Sequence, residues 1–216
     1  MKTLNQYIQE KLIINKDYSD GKMYHPKSFD ELRKIIDDRY DKLGSGTEQK
    51  PIDFNDIDVS KIDSFYSSNT DEGIFLGTKF KYIDISLWDV SNVKSMYAMF
   101  FACKKLESVG DISKWDVSSV TDMSFMFYYC ENFNQNISKL NVSNVTNMRS
   151  MFGVCESFNQ DLSGWDVSSV SDMSFMFYKC KNFNQDISNW NVSKVRNNNY
   201  MFDNCPIKSE YKPKFK

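Results

Sequence analysis

The chain has 216 residues, enough for one ordinary domain or a domain with a cap, and its 41% apolar and 15% aromatic content supplies a sizeable core. A net charge of −2 excludes a general attraction to nucleic acid or to an anionic membrane. No run of about eighteen apolar residues occurs, so no membrane-inserted helix is expected.

The first ten residues are polar and periodic. They lack the unbroken apolar stretch of a signal peptide, and no lipid-attachment cysteine stands near the start. The expectation is therefore a cytoplasmic location. Leu4, Ile8 and Leu12 mark one face of a short helix. Residues 22–26 read as a short extended segment closed by Pro26. Ser28-Phe29-Asp30-Glu31 is a capping box, in which the Ser28 oxygen accepts from the Glu31 amide and the Glu31 carboxylate reaches back. Phe29, Leu32, Ile35, Ile36, Tyr40 and Leu43 come next at helical spacing, and Gly44 supplies the stop. Residues 1–50 are thus expected to form a mainly helical N-terminal cap, residues 51–205 a repeat solenoid, and residues 206–216 a charged tail.

The repeats dominate the rest. Cys103, Cys130, Cys155, Cys180 and Cys205 stand in a ladder whose last four members are 25 residues apart. Trp88, Trp115, Leu140, Trp165 and Trp190 form a second column. Self-similarity at this period means one short unit stacked on its copies. A degenerate first copy spans residues 57–65, with extra residues in a loop around 69–77. Five cysteines at one equivalent position are expected to be buried free thiols. Within a copy, Trp115 and Val117 alternate with polar residues as in a short strand. Ser118 or Ser119 can cap a helix that starts immediately after them. Val120, Met123, Met126, Phe127 and Cys130, at steps of three and four, predict that short helix. Strands stack about 4.8 Å apart and helices about 8–10 Å apart, so the stack is expected to curve.

The aromatic-Asp-Val-Ser segment (Trp115 to Ser118), Val-x-x-Met-x-x-Met-Phe (Val120 to Phe127), Cys130 and the Phe-Asn-Gln turn (Phe133 to Gln135) resemble the BspA-like leucine-rich-repeat family, in its mycoplasma-lipoprotein-type branch. The match is strong over residues 80–205 and weak over 55–79. The resemblance implies a curved α/β, leucine-rich-repeat-like solenoid of about five turns. It also implies a protein-binding role, commonly at a bacterial surface, with no shared catalytic residues. A cap followed by repeats is similar to proteins of gut bacteria and their phages, so a virion or cell-surface location is the alternative to the cytoplasm.

Catalysis has little to use. His25 is the single histidine and precedes a proline, and the eight glycines form no phosphate-binding loop. Asp116, Asn141, Asp166 and Asn191 share one position, and Asp111, Asn136, Asp161 and Asp186 another. Repeated carboxylates can bind calcium, but the interspersed amides favour side-chain ladders that satisfy turn amides. No metal or cofactor is expected. Constant columns build the scaffold, including the cysteines and Trp88, Trp115, Trp165 and Trp190. Variable columns carry recognition. On a helical wheel, Phe125, Tyr128 and Tyr129 lie opposite the Val120–Met123–Phe127 stripe and should face outward. The expected partner-binding residues are Tyr97, Phe101, Phe125, Tyr128, Tyr129, Phe175, Tyr178 and Tyr200. The expected function is non-enzymatic protein binding. The alternative is a self-assembling phage or bacterial surface component.

Overall fold

A computed structural model describes residues 23–215. The expected helix through Leu4, Ile8 and Leu12 lies outside them. The described chain opens with Tyr24, which forms a parallel bridge to Ile57. Helix α1 (Phe29–Leu43) comes after it. Its Ser28 cap accepts from the Glu31 amide at 3.2 Å, and the Glu31 carboxylate accepts from the Lys27 amide at 2.7 Å, one residue earlier than a capping box requires. Gly44 ends the helix at φ 74°, with its amide on the Tyr40 carbonyl. Leu32, Ile35 and Ile36 are buried. Arg39 is 2.6 Å from the Asp56 carboxylate, and Arg33 donates to the Gly73 carbonyl at 3.0 Å. These contacts fasten α1 to the first coil of the repeats.

Four two-residue strands come next: β1 (Ile52–Asp53), β2 (Tyr66–Ser67), β3 (Glu72–Gly73) and β4 (Ile83–Asp84). β1 pairs with β4 in parallel, while β2 and β3 form a small antiparallel hairpin in the long loop of the first copy. Beyond them, parallel bridges join equivalent residues of successive copies, running Ser64, Ser95, Asp122, Asn147, Asp172 and Asn197. A 3-10 turn at Ser209–Tyr211 lies in the tail.

Two expectations about the copy itself need correction. Residues 115–117 form no strand; the bridging residue is Asp122 and its equivalents. Residues 120–130 form no α-helix. They run as consecutive turns, with the Met126, Tyr128 and Cys130 amides donating to the Met123, Phe125 and Phe127 carbonyls. The intervening amides reach the next coil: Met123 to Asn147, Phe125 to Arg149, Phe127 to Met151 and Tyr129 to Gly153, at 2.9–3.0 Å. The first and third of these turns carry a left-handed residue at their third position, as a type II turn requires. Phe125 (φ 59°) and Tyr129 (φ 64°) supply it, as do Ala98, Ala102, Ser150, Val154, Phe175, Lys179, Tyr200 and Asn204 in other copies. A side chain there costs on the order of 1–2 kcal/mol, which the inter-coil bonds offset. Turns closing at Met126, Tyr128 and Cys130 put Val120, Met123, Met126, Phe127 and Cys130 inside, all fully buried. A helix would bury the same set.

The core is a set of columns. Phe100, Phe127, Phe152, Phe177 and Phe202 stack at 5.3–5.9 Å with ring planes within 11°. Phe133, Phe158 and Phe183 stack beside them at 6.1–6.2 Å. Both columns keep a spacing near 6 Å, so the 8–10 Å interval expected of helices, and the curvature argued from it, has no basis here. The Trp88, Trp115, Trp165 and Trp190 indoles donate to carbonyls of the preceding coil at 2.9–3.4 Å. All five cysteines are free, and Cys103, Cys130, Cys155 and Cys180 are buried. Their thiols also donate to the preceding coil, to the Phe75, Phe100, Phe127 and Phe152 carbonyls at 2.8–3.0 Å.

The aspartate and asparagine columns close turns. Oδ1 of Asp111, Asp116, Asn136, Asn141, Asp161, Asp166, Asp186 and Asn191 each accepts from the amide two residues on, at 2.8–3.3 Å. Carboxylate and amide serve equally because only the oxygen is used. Ser118 therefore donates to Asp116 Oδ1 and caps no helix. The Phe-Asn-Gln turn builds another ladder, in which Asn134 Oδ1 accepts from the Asn159 amide at 2.9 Å and Asn159 Oδ1 from the Asn184 amide at 3.0 Å.

Candidate functional site

The large side chains at the left-handed turn positions, and those just before them, lie outside the core. They form one face. Tyr97, Phe101, Phe125, Tyr128, Tyr129, Phe175 and Tyr178 are half-buried, and Tyr200 is 58% exposed. These aromatics look outward because of the turns, and the helical-wheel argument that placed them there does not apply. Ser124 and Ser174, which occupy a variable column, are buried instead, each hydroxyl 2.6 Å from the carboxylate of Asp122 or Asp172.

The rings touch in sequence along the stack. Tyr66 meets Tyr97 at 4.5 Å, and Tyr97 meets Phe125 at 5.6 Å. Phe125 then contacts Tyr128 at 5.6 Å, Phe101 stacks on Tyr128 at 5.2 Å, and Tyr128 meets Tyr129 at 5.2 Å. A second group joins Phe175 to Tyr178 at 5.7 Å and to Tyr200 at 5.0 Å. Between the groups the equivalent positions are Ser150 and Gly153, which have no rings. Arg149 fills the gap: its guanidinium lies 5.8 Å from the Phe125 ring and 5.6 Å from the Phe175 ring. The face is thus continuous from Tyr66 to Tyr200, with one cation held between two aromatic faces.

Gly153 has a steric role. A Cβ there would lie 2.8 Å from Cδ2 and Cε2 of Tyr128, so the missing side chain is what lets the Tyr128 ring lie over the next coil. Lys104 and Lys179 border the face, each ammonium about 5 Å from the ring of Tyr129 or Tyr178. The Tyr66 hydroxyl donates to Asp71 at 2.6 Å, which pushes its pKa up to about 12. Burial chiefly raises the pKa of Tyr97 and Tyr128, so both remain neutral donors at neutral pH. The face offers apolar area, neutral hydroxyls and fixed cations.

Tyr66, Lys104, Arg149, Lys179 and Gly153 are not among the site residues expected from sequence. Arg149 and Gly153 stand in the variable columns, and that is their only signal. Tyr66 lies in the degenerate first copy, where the columns are hardest to align. His25 hydrogen-bonds Asp58 at 3.1 Å. Among the described residues, no group of three or more His, Cys, Asp or Glu is placed to hold a metal ion, and no helix is long and apolar enough to cross a membrane.

A family model described as "Mycoplasma protein of unknown function, DUF285" matches residues 47–130 and 105–212. The chain belongs to this family. The match is to the mycoplasma-type repeats and carries no activity with it. No curated protein and no solved structure matches the chain. In this DUF285 protein the family's matched region holds every ring of the aromatic face from Tyr66 to Tyr200.

Proposed function

We propose that this DUF285 protein is a non-enzymatic protein-binding module: a solenoid of 25-residue coils that holds an aromatic face rigid for a partner protein. The observation that carries the reading is the unbroken line of half-exposed rings, joined across the ringless coil by Arg149. Tyrosine and arginine are enriched among the residues that dominate the energetics of protein interfaces. Here each side chain stands on a turn whose amides are tied to the neighbouring coil, so the face is preorganised. The reading as non-enzymatic rests on the buried thiols being engaged by backbone carbonyls of the preceding coil.

The test is the triple substitution of Phe125, Tyr128 and Phe175 by serine, with thermal stability and retention of a captured partner measured together. Folded protein that loses the partner is expected. Unchanged stability with unchanged binding removes the proposal. The self-assembling alternative is favoured by Tyr200, whose ring is exposed on the last coil. Light scattering separates the two readings, since a strictly monomeric solution at high concentration disfavours assembly.

A further inference from the structure

The inter-coil hydrogen bonds have a direction. The Met96, Met123, Met148 and Met173 amides each donate to the following coil, and the columns through Phe125, Phe127 and Tyr129 run the same way. One column, through Thr121, Thr146, Ser171 and Arg196, runs the opposite way. Four aligned columns against one sum their peptide dipoles as a helix does, with the positive end at the last coil. At the negative end Arg33, which also pairs with Asp37 at 2.9 Å, donates to the Gly73 and Ile74 carbonyls at 3.0 and 3.3 Å. At the positive end the amides of Asn198, Tyr200, Phe202 and Asn204 have no acceptor among the described residues, and the Arg196 carbonyl has no donor among them. Tyr200 at φ 55° and Asn204 at φ 57° are left-handed, a conformation found where backbone amides gather around an oxygen ligand.

The charge distribution agrees. From residue 194 onward the sequence has six Lys or Arg and two Asp or Glu, in a chain of net charge −2. The Lys212 ammonium lies 5.4 Å from the Phe202 ring, beside a cleft of about 280 Å³ between the last coil and the tail. Among the described residues, Asp203 is the one carboxylate lining that cleft.

We propose that this edge docks an extended acidic peptide of a partner protein, laid parallel to the last coil. One N–H of the peptide donates to the Arg196 carbonyl. Its carbonyl and carboxylate oxygens then accept from the four amides in turn, in the manner of strand addition. A second copy does not fit: tail against tail sets donors against donors, and at the other end α1 is fastened to the first coil, with Arg33 on the Gly73 and Ile74 carbonyls. A free anion would use the amides but leave Arg196 unanswered. The site is independent of the aromatic face, since it uses the amide of Tyr200 and not its ring.

The test is backbone amide exchange by NMR on the full chain, with a soluble peptide of alternating glutamate and alanine, its glutamine counterpart, and inorganic phosphate. The glutamate peptide is expected to slow exchange at Asn198, Tyr200, Phe202 and Asn204 and at no aromatic-face residue of the earlier coils. Asn198→Pro removes one donor without breaking a native bond, so binding should weaken about tenfold at an unchanged melting midpoint. Asp203→Asn should tighten binding. Absence of protection at millimolar peptide, equal protection by phosphate or by the glutamine peptide, or protection confined to the aromatic face would each overturn the proposal. The wild-type exchange pattern decides the matter even if Asn198→Pro does not fold.

Discussion

Met148→Asp tests the stacking of coils at its centre. Met148 is fully buried, its amide donates to the Asp172 carbonyl at 2.9 Å, and the equivalent Met123 and Met173 are fully buried too. Losing the methionine's burial costs about 1.5–3 kcal/mol. A carboxyl held there must be neutral or pay for its charge. Burial of this kind raises a carboxyl pKa by up to about 3–5 units, and at about 1.4 kcal/mol per unit between the unfolded value and neutral pH this adds about 4 kcal/mol at pH 7. The sum approaches the whole stability of an ordinary domain, about 5–15 kcal/mol. The sign gives a second handle. The folded-state pKa of the new carboxyl lies above its unfolded value of about 3.9, so the charge penalty is absent below about pH 4 and grows as pH rises through the folded-state pKa. Urea unfolding monitored by tryptophan fluorescence at about pH 4 and about pH 8 should show a variant that is weakened at the lower pH and largely unfolded at the higher. Met148→Leu, a volume-conserving control, should cost less than about 1.5 kcal/mol. A Met148→Asp protein that unfolds at the wild-type midpoint at both pH values would refute the reasoning.

Gly153→Ala should displace the Tyr128 ring, which lies 2.8 Å from the added Cβ, at a cost of about 1–3 kcal/mol; unchanged Tyr128 ring chemical shifts would contradict this. Asp166→Asn keeps the oxygen that accepts from the Ser168 amide and should change stability by less than about 0.5 kcal/mol, whereas Asp166→Ala should lose about 1 kcal/mol in thermal or denaturant unfolding. The carboxyls of Asp111, Asp116, Asp161, Asp166 and Asp186 are held below 3.8 by the serine amide and hydroxyl two residues on. Their stabilisation is therefore present above about pH 4 and lost as pH falls through the lowered values, and a midpoint that stays flat from about pH 5 to about pH 2 would argue against it. Burial pushes the Cys130, Cys155 and Cys180 thiols up. In the native protein Cys205, which is only partly buried, should alkylate before the other four; equal rates at all five would contradict the burial.

The columns are legible in the sequence because identical residues recur at identical intervals. Cysteine, tryptophan and the turn aspartates can be assigned to shared environments with no knowledge of the backbone. The backbone itself is not legible. Val120, Met123, Met126, Phe127 and Cys130 have helical spacing, yet successive turns that each close over three residues bury the same side chains. A glycine at the left-handed positions would have revealed the turns, but Phe125, Tyr129, Phe175 and Lys179 stand there. The aromatic face is marked by its variability, and a helical wheel points it outward for the wrong reason. Arg149 cannot be assigned a role from sequence, because a cation between two rings depends on coils above and below it that no single copy reveals.

The central claim is that each copy's turn amides bond to the copy after it. Scalar couplings across hydrogen bonds, measured by NMR on labelled protein, report donor and acceptor directly. The account predicts couplings from the Phe125, Phe127 and Tyr129 amide nitrogens to the Arg149, Met151 and Gly153 carbonyl carbons. Couplings from Phe127 to Met123 and from Tyr129 to Phe125 would mean that these residues form a helix after all, and would contradict it.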